Sequence, residues 1–101
     1  MFSGRFLVVS GESPKVILAN GGTAARFRGS IANSGRGQIE VLGFGTWDAS
    51  TGQVAGAAVK GPKIDAGTSA VVSWDGQVAV AVALVAGTGL TASGEWTLEF
   101  S

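Results

Sequence analysis

The most constraining feature of the sequence is the stretch Thr68–Val85, where two runs of β-forming residues flank the dipeptide Asp75-Gly76. Such a dipeptide between such runs is typical of a two-residue β-hairpin, because a type I′ turn needs positive φ at both central positions. The pattern therefore predicts two antiparallel strands of one sheet, with Val71 opposite Val80.

Both faces of this predicted hairpin are apolar. The second strand presents large side chains on one face and alanines on the other: Val78, Val80, Val82 and Leu84, then Ala79, Ala81 and Ala83. A hairpin of this kind is central in a two-layer fold or covered by another subunit. We expect Trp74, Val80, Val82 and Leu98 in the core. Because a small domain has one interior, we also expect another copy of the chain to close one face, with the three alanines as interface candidates.

The composition narrows the function classes. The chain has 101 residues, of which 46% are hydrophobic and 14% charged, with seven basic and seven acidic side chains. This neutral balance offers no electrostatic footprint for nucleic acid or an anionic membrane. The chain contains no cysteine, histidine or tyrosine, which excludes disulfides, zinc–thiolate sites and a Ser-His-Asp triad. We therefore expect a protein without enzymatic activity, whose apolar surface is buried in an assembly.

Short β-type runs separated by glycines extend along the whole chain, and no segment is typical of a helix. The predicted strands are Arg5–Ser10, Lys15–Ala19, Ala24–Ala32, Gln38–Trp47, Val54–Val59, Thr68–Trp74, Gln77–Ala86 and Gly94–Phe100. About eight short strands with turn signals between them predict a small antiparallel β-sandwich, immunoglobulin-like or jelly-roll-like. The sandwich is predicted to be one domain, residues 1–101.

Three segments carry a resemblance to a known family: Phe27–Gly35, with its Asn-Ser-Gly ending, then Ile39–Leu42, then Ile64–Trp74 with Ala-Gly-Thr-Ser-Ala-Val-Val. Together they resemble bacterial immunoglobulin-like modules of adhesion-related proteins, over roughly half of the chain. The resemblance implies an immunoglobulin-like sandwich and no catalytic residues. The chain has few of the acidic residues that such modules use for Ca²⁺.

In composition the chain also resembles the decoration and cement proteins of bacteriophage capsids. This resemblance implies a structural protein of the virion, assembled in the host cytoplasm, with a capsid shell as partner. The short apolar run at the N-terminus is consistent with the absence of a signal peptide. The expected self-assembly is a homo-oligomer, with a trimer favoured by analogy. The alternative is an extracellular module for carbohydrate binding or adhesion.

The candidate site residues follow from these alternatives. Arg26, Arg28 and Arg36 are either a charged sheet face that blocks edge pairing or a docking patch for an acidic partner. Trp47 is the candidate wall of a ligand groove beside Gly43 and Gly45. The competing interpretation is that these glycines mark a bulge, or make room for a large neighbour such as Trp74 or Trp96. Asp48 and Ser50 are explained by an Asx-turn, and neither a metal nor a cofactor is predicted.

Overall fold

The computed structural model describes residues 1–20, 23–48, 50–51, 53–55 and 58–101. Over these residues the chain forms ten strands and no helix, which confirms the predicted all-β fold. The strands are β1 (Phe2–Val9), β2 (Lys15–Ala19), β3 (Ala25–Asn33), β4 (Ile39–Phe44), β5 (Thr46–Asp48), β6 (Gln53–Ala55), β7 (Val59–Ile64), β8 (Thr68–Gln77), β9 (Ala79–Leu84) and β10 (Thr91–Phe100).

Eight of the strands form two four-stranded antiparallel sheets, which we call sheet A and sheet B. Sheet A has the order β1-β10-β3-β8 and sheet B the order β2-β9-β4-β7, while β5 and β6 form a separate two-stranded ribbon. An immunoglobulin sandwich places its first two strands in the same sheet. Here β1 and β2 lie in different sheets, and the order is that of a jelly roll, the other predicted topology.

Most strand boundaries shift by a few residues from the predicted ones, and two places show larger differences. The predicted strand Gln38–Trp47 is divided at Gly45 into β4 and β5. No strand is predicted at Gly61-Pro62, yet β7 includes both residues as part of the last strand of sheet B, and its pairing with β4 shifts register there. An edge strand accepts proline because its outer N–H needs no partner within the sheet. The predicted strand Val54–Val59 includes residues 56 and 57, which lie outside the described part of the chain.

The predicted hairpin at Asp75-Gly76 is wrong. β8 and β9 belong to different sheets, so Val71 does not face Val80 in a ladder. The dipeptide lies inside β8, where it forms a bulge: Ala25 pairs with Gln77 and Phe27 with Trp74, so that two residues oppose one. Gly76 has φ of 75°, as the sequence predicted, but this angle re-aims the strand rather than reversing it.

The main core lies between the two sheets and contains the residues that the sequence placed there. Val80, Val82 and Leu98 are fully buried and Trp74 is 5% exposed, which confirms all four predictions. The Trp74 indole crosses from sheet A onto sheet B and lies against two glycines there. A Cβ atom at Gly43 would approach the indole to 2.6 Å, and one at Gly61 would approach it to 2.5 Å. Room for Trp74 is therefore the correct interpretation of Gly43.

The outer face of sheet B has a second, smaller cluster built around Leu42, Phe44 and Ala81. Val54 of the ribbon and Ala58, next to β7, pack against it, together with Val16 and Ala83. The chain thus covers much of the alanine face of β9 by itself. Two apolar faces exist, as predicted, but the inference that the alanine face needs another copy of the chain does not follow.

Candidate assembly edges

Both terminal strands of sheet A contain long regular segments, the whole of β1 and the part of β8 that precedes its bulge at Asp75-Gly76. β1 pairs with β10 through eight consecutive residues without a shift in register. On the other side of the sheet, Thr68–Trp74 of β8 pairs with β3 through seven consecutive residues. Neither segment contains proline, and Arg5 is the one charged residue of the two. Each edge is therefore a long, straight row of backbone groups.

Hydrogen bonds identify which backbone groups of β1 point away from the sheet. Lys15 Nζ donates to the Leu7 carbonyl at 3.3 Å, so this carbonyl faces outward from β10. Ser10 N, by contrast, donates to the Leu90 carbonyl at 2.9 Å, on the β10 side. Because these directions alternate along a strand, the outward N–H and C=O groups are those of Ser3, Arg5, Leu7 and Val9.

The same argument applies to β8. Arg26 and Ser101 exchange both backbone hydrogen bonds, at 3.0 and 3.1 Å, which shows that even-numbered residues of β3 bond towards the β10 side. The odd-numbered residues of β3 therefore bond to β8, and their partners include Ala70 and Val72. The outward backbone groups of β8 are consequently those of Ser69, Val71 and Ser73.

Three of the seven residues with outward backbone groups carry exposed apolar side chains on the outer face of sheet A. Val71 is 85% exposed, Leu7 is 52% exposed and Val9 is 38% exposed. The one charged side chain among them, Arg5, lies 3.6 Å from Glu95 in an exposed ion pair. The Val9 carbonyl accepts from Glu12 N at 3.2 Å and the Leu7 carbonyl accepts from Lys15 Nζ. The other outward backbone groups of both edges have no hydrogen-bond partner among the described residues, and such unpaired groups beside exposed apolar side chains recruit another strand.

The terminal strands of sheet B have the opposite character. β2 is five residues long, begins with Lys15 after Pro14, and has a register shift between Val16 and Leu18. β7 carries two lysines, and its Gly61-Pro62 pair forms a bulge opposite Val41. Short length, bulges, proline and lysine are the devices that prevent edge-to-edge pairing. In the described structure, the edges available for pairing with another strand are those of sheet A.

The three candidate arginines do not form one patch. Arg26 and Arg28 are exposed on the same face of β3, as predicted, and Arg26 Nε lies 2.9 Å from Asp75 Oδ1. Arg28 is in register with Glu99 of β10, so the arginines alternate with acidic side chains. Arg36 is exposed in the loop beyond the other end of β3. The pairing with Asp75 favours a mixed-charge sheet face over a purely basic docking patch.

The alanine candidates lie mainly inside the protomer. Ala79 and Ala81 are fully buried, and Ala83 is half-buried beside the second cluster. Side chains that are buried by their own chain offer no surface to a partner, so Ala79 and Ala81 are corrected from interface candidates to packing residues. Their small size lets Val54 approach sheet B closely.

Trp47, the candidate ligand wall, is half-buried in β5. It is in register with Val54, so both side chains share the ribbon face that turns towards sheet B. Its Nε1 is buried and has no hydrogen-bond partner in the described part of the chain. The role of Trp47 as the wall of a ligand groove stays a prediction.

The ribbon's turn contains Asp48, whose Oδ1 accepts hydrogen bonds from Ser50 N at 2.9 Å and from Ser50 Oγ at 2.7 Å. This geometry confirms the Asx-turn. The same hydrogen bonds from Ser50 lower the pKa of the Asp48 carboxyl below its ordinary value. The described residues contain no group of three or more acidic, histidine or cysteine side chains able to hold a metal ion. They also contain no helix long and apolar enough to cross a bilayer.

No protein-family profile and no curated protein matches this sequence. A solved structure described by the words "Bacillus endospore appendages form a novel family of disulfide-linked pili" is similar to this one. The alignment covers 98% of this chain and 82% of the other chain. The TM-score is 0.61 and the sequence identity is 16%. The two chains share a fold. At this identity, the similarity extends to the β-sandwich and no further.

Proposed function

We propose that this chain is a non-enzymatic structural subunit that joins copies of itself into a larger assembly, at the surface of a virion or in an extracellular appendage. The observation that carries the proposal is the pair of unprotected edges on sheet A. A soluble monomer normally blunts such edges, because a free row of N–H and C=O groups recruits another strand. Both edge strands of sheet B carry such protection, whereas in sheet A β1 has none and β8 has a bulge only at its C-terminal end.

Two further observations support a structural role. The protein with the similar fold belongs to endospore appendages described as pili, so this kind of sandwich occurs in polymers. The chain also lacks histidine and cysteine and has 14% charged residues, which leaves few groups for chemistry. Having no cysteine, it cannot form the disulfide links named for those pili, and its contacts would be non-covalent.

The virion decoration role and the closed trimer are narrower forms of this proposal. Composition supports them, through low net charge and the resemblance to cement proteins, and binding to a capsid shell would be their distinguishing property. The fold similarity supports the broader statement, which is self-assembly. A trimer would show one discrete mass in solution, whereas an appendage subunit would show a series of masses.

The test is sedimentation velocity and negative-stain electron microscopy of the protein and of two β1 variants. Arg5→Pro removes an outward N–H at the middle of β1 without removing a bond to β10, whereas Arg5→Ala removes the same side chain and keeps the N–H. We expect the unmodified protein and Arg5→Ala to form particles heavier than the protomer, and Arg5→Pro to remain a protomer with unchanged circular dichroism.

Two results would contradict the proposal in different ways. A protein that sediments as a monomer at several hundred micromolar has no tendency to assemble, and the structural role would be wrong. If Arg5→Pro assembles as well as Arg5→Ala does, the β1 edge is not the contact. Should Arg5→Pro fail to fold, Ser3→Pro against Ser3→Ala repeats the comparison at another outward N–H of the same strand.

A further inference from the structure

We infer that the β1 edge of one copy pairs with the β8 edge of the next copy, so that sheet A continues from molecule to molecule in an open, head-to-tail chain. The inference rests on the proposed function and names the contact that would produce it. Its first basis is strand direction. Sheet A has four strands, each antiparallel to its neighbour. β1 and β8 therefore run in opposite directions, and a copy translated along the sheet continues the antiparallel order.

The second basis is that the two edges complement each other. On both strands the outward backbone groups belong to residues whose side chains lie on the outer face of sheet A. In an antiparallel pair of such edges, the backbone groups meet and the side chains fall on one common face. Every molecule has one edge of each kind. Further copies of the same chain can therefore pair with both edges, one copy at β1 and another at β8.

Pairing of β1 with a second β1 fits less well. A two-fold axis through the middle of the strand would place Arg5 opposite the same arginine of the other copy, and like charges directly opposite destabilise a strand pair. It would also leave β8 unpaired, with Val71 at 85% exposure. The head-to-tail arrangement avoids both problems.

The most exposed apolar side chains indicate the register. Placing Val71 of one copy opposite Leu7 of the next buries the most exposed apolar residue of each strand and sets Ser73 opposite Arg5. Within one molecule, Ser3, Thr97, Ser30 and Val71 lie level across the sheet. The proposed register therefore displaces each copy by four residues along the strand, which is about 13 Å. Head-to-tail contacts give an open filament unless the rotation between successive copies closes a ring. The open filament is the form inferred here, and a series of masses rather than one discrete mass distinguishes it from a ring.

The absence of cysteine from the chain allows a direct test by cross-linking. We would prepare Leu7→Cys, Val71→Cys and the double variant, oxidise them under assembly conditions, and separate them on non-reducing gels. Directly opposite residues of an antiparallel pair lie within disulfide range. Within one molecule, the two positions are three strand spacings apart across the sheet and four residues apart along it, which is roughly 19 Å and beyond disulfide range.

We expect a ladder of covalent multimers from the double variant. An equimolar mixture of the two single variants should give covalent dimers and nothing larger, and Val71→Cys alone should give no covalent product. Particles that assemble normally but show no ladder would overturn the β1–β8 pairing while leaving self-assembly intact. Covalent dimers from Leu7→Cys alone would indicate β1–β1 pairing and would also overturn it. The double cysteine variant could stay a protomer while the unmodified protein assembles. In that case the double variant Leu7→Ser with Val71→Ser should also stay a protomer if these two side chains hold the contact, and its normal assembly would contradict the pairing.

Discussion

The edges of sheet A and sheet B are built from residues with opposite effects on strand pairing. β1 has eight residues in unbroken register and β8 has seven before its bulge at Asp75-Gly76, whereas the register shifts of β2 and β7 interrupt much shorter pairings. Lysine, proline and a bulge occur where sheet B ends. The comparison shows that the residues that prevent strand pairing are concentrated in β2 and β7. The open edges of sheet A are therefore a specific property of that sheet.

The two outer faces differ in a related way. The outer face of sheet B is apolar and is covered by a cluster that includes the ribbon residue Val54. The outer face of sheet A is uncovered and mixes charged and small polar residues with exposed Leu7 and Val71. Sheet B is thus completed within the protomer. Sheet A packs against the protomer's core with its inner face only, and no further strand pairs with β1 or β8 within the described residues.

The largest effect is expected from a charge on the closed face. Ala81→Glu would bury a carboxylate against Leu42 and Phe44 with no partner, which costs about 3 kcal/mol or more in unfolding free energy. Denaturant unfolding measures this loss. An unchanged midpoint would show that the ribbon does not seal the face, and would reopen Ala81 as a contact between copies.

Core truncation separates stability from edge pairing. Val82→Ala removes two methyl groups from a fully buried site, and we expect a loss of about 1–3 kcal/mol in unfolding free energy. Because β9 is an interior strand of sheet B, the folded variant should assemble at the same concentration as the unmodified protein. A shift in both quantities would mean that assembly depends on sheet B as well.

A matched pair of exposed valines compares the two kinds of edge. Val71→Lys places a charge on β8, and Val59→Lys places the same charge on β7, where Val59 is 47% exposed. Loss of an apolar cross-strand contact of about 1 kcal/mol would raise the concentration for assembly roughly fivefold in Val71→Lys. Val59→Lys should leave it unchanged. Equal responses in sedimentation would remove the distinction between the sheets.

The smallest effect concerns Lys15, whose Nζ occupies the outward carbonyl of Leu7 at 3.3 Å. Lys15→Ala frees this carbonyl for a partner strand and should lower the concentration for assembly by less than about twofold, since one exposed hydrogen bond contributes little. Lys15→Arg is the control that retains a donor. Weaker assembly of Lys15→Ala, measured by light scattering, would show that the lysine supports the edge rather than shielding it.

The strands themselves could be predicted from the sequence because alternation and glycine spacing are local signals. Lys15–Ala19 was predicted at its observed bounds, and the inward set Trp74, Val80, Val82 and Leu98 was correct. The Asp75-Gly76 hairpin was wrong because the dipeptide reports only a need for positive φ, which a bulge satisfies as well as a turn does.

The candidate site could not be predicted in the same way. Whether a strand is at an edge depends on pairings between distant segments, such as β1 with β10, and no local pattern specifies them. The lack of proline and the single charge in β1 and Thr68–Trp74 were visible in the sequence. They indicate an unprotected edge only once the sheet order has placed these strands at the edges. Ala79 and Ala81 were misassigned for the same reason, since the residues that cover them include Val54, which precedes β9 by more than twenty positions.

The contact between Trp74 and two glycines has a consequence for how sequences with this fold can diverge. Any side chain at Gly43 or Gly61 would enter the space of the indole, whose Nε1 also donates to the Val59 carbonyl at 3.2 Å. A change at one of the three positions is therefore tolerated only with a compensating change at another. Among homologous sequences, a residue larger than glycine at 43 or 61 should co-vary with a smaller residue at 74, so the three positions would be inherited as a unit.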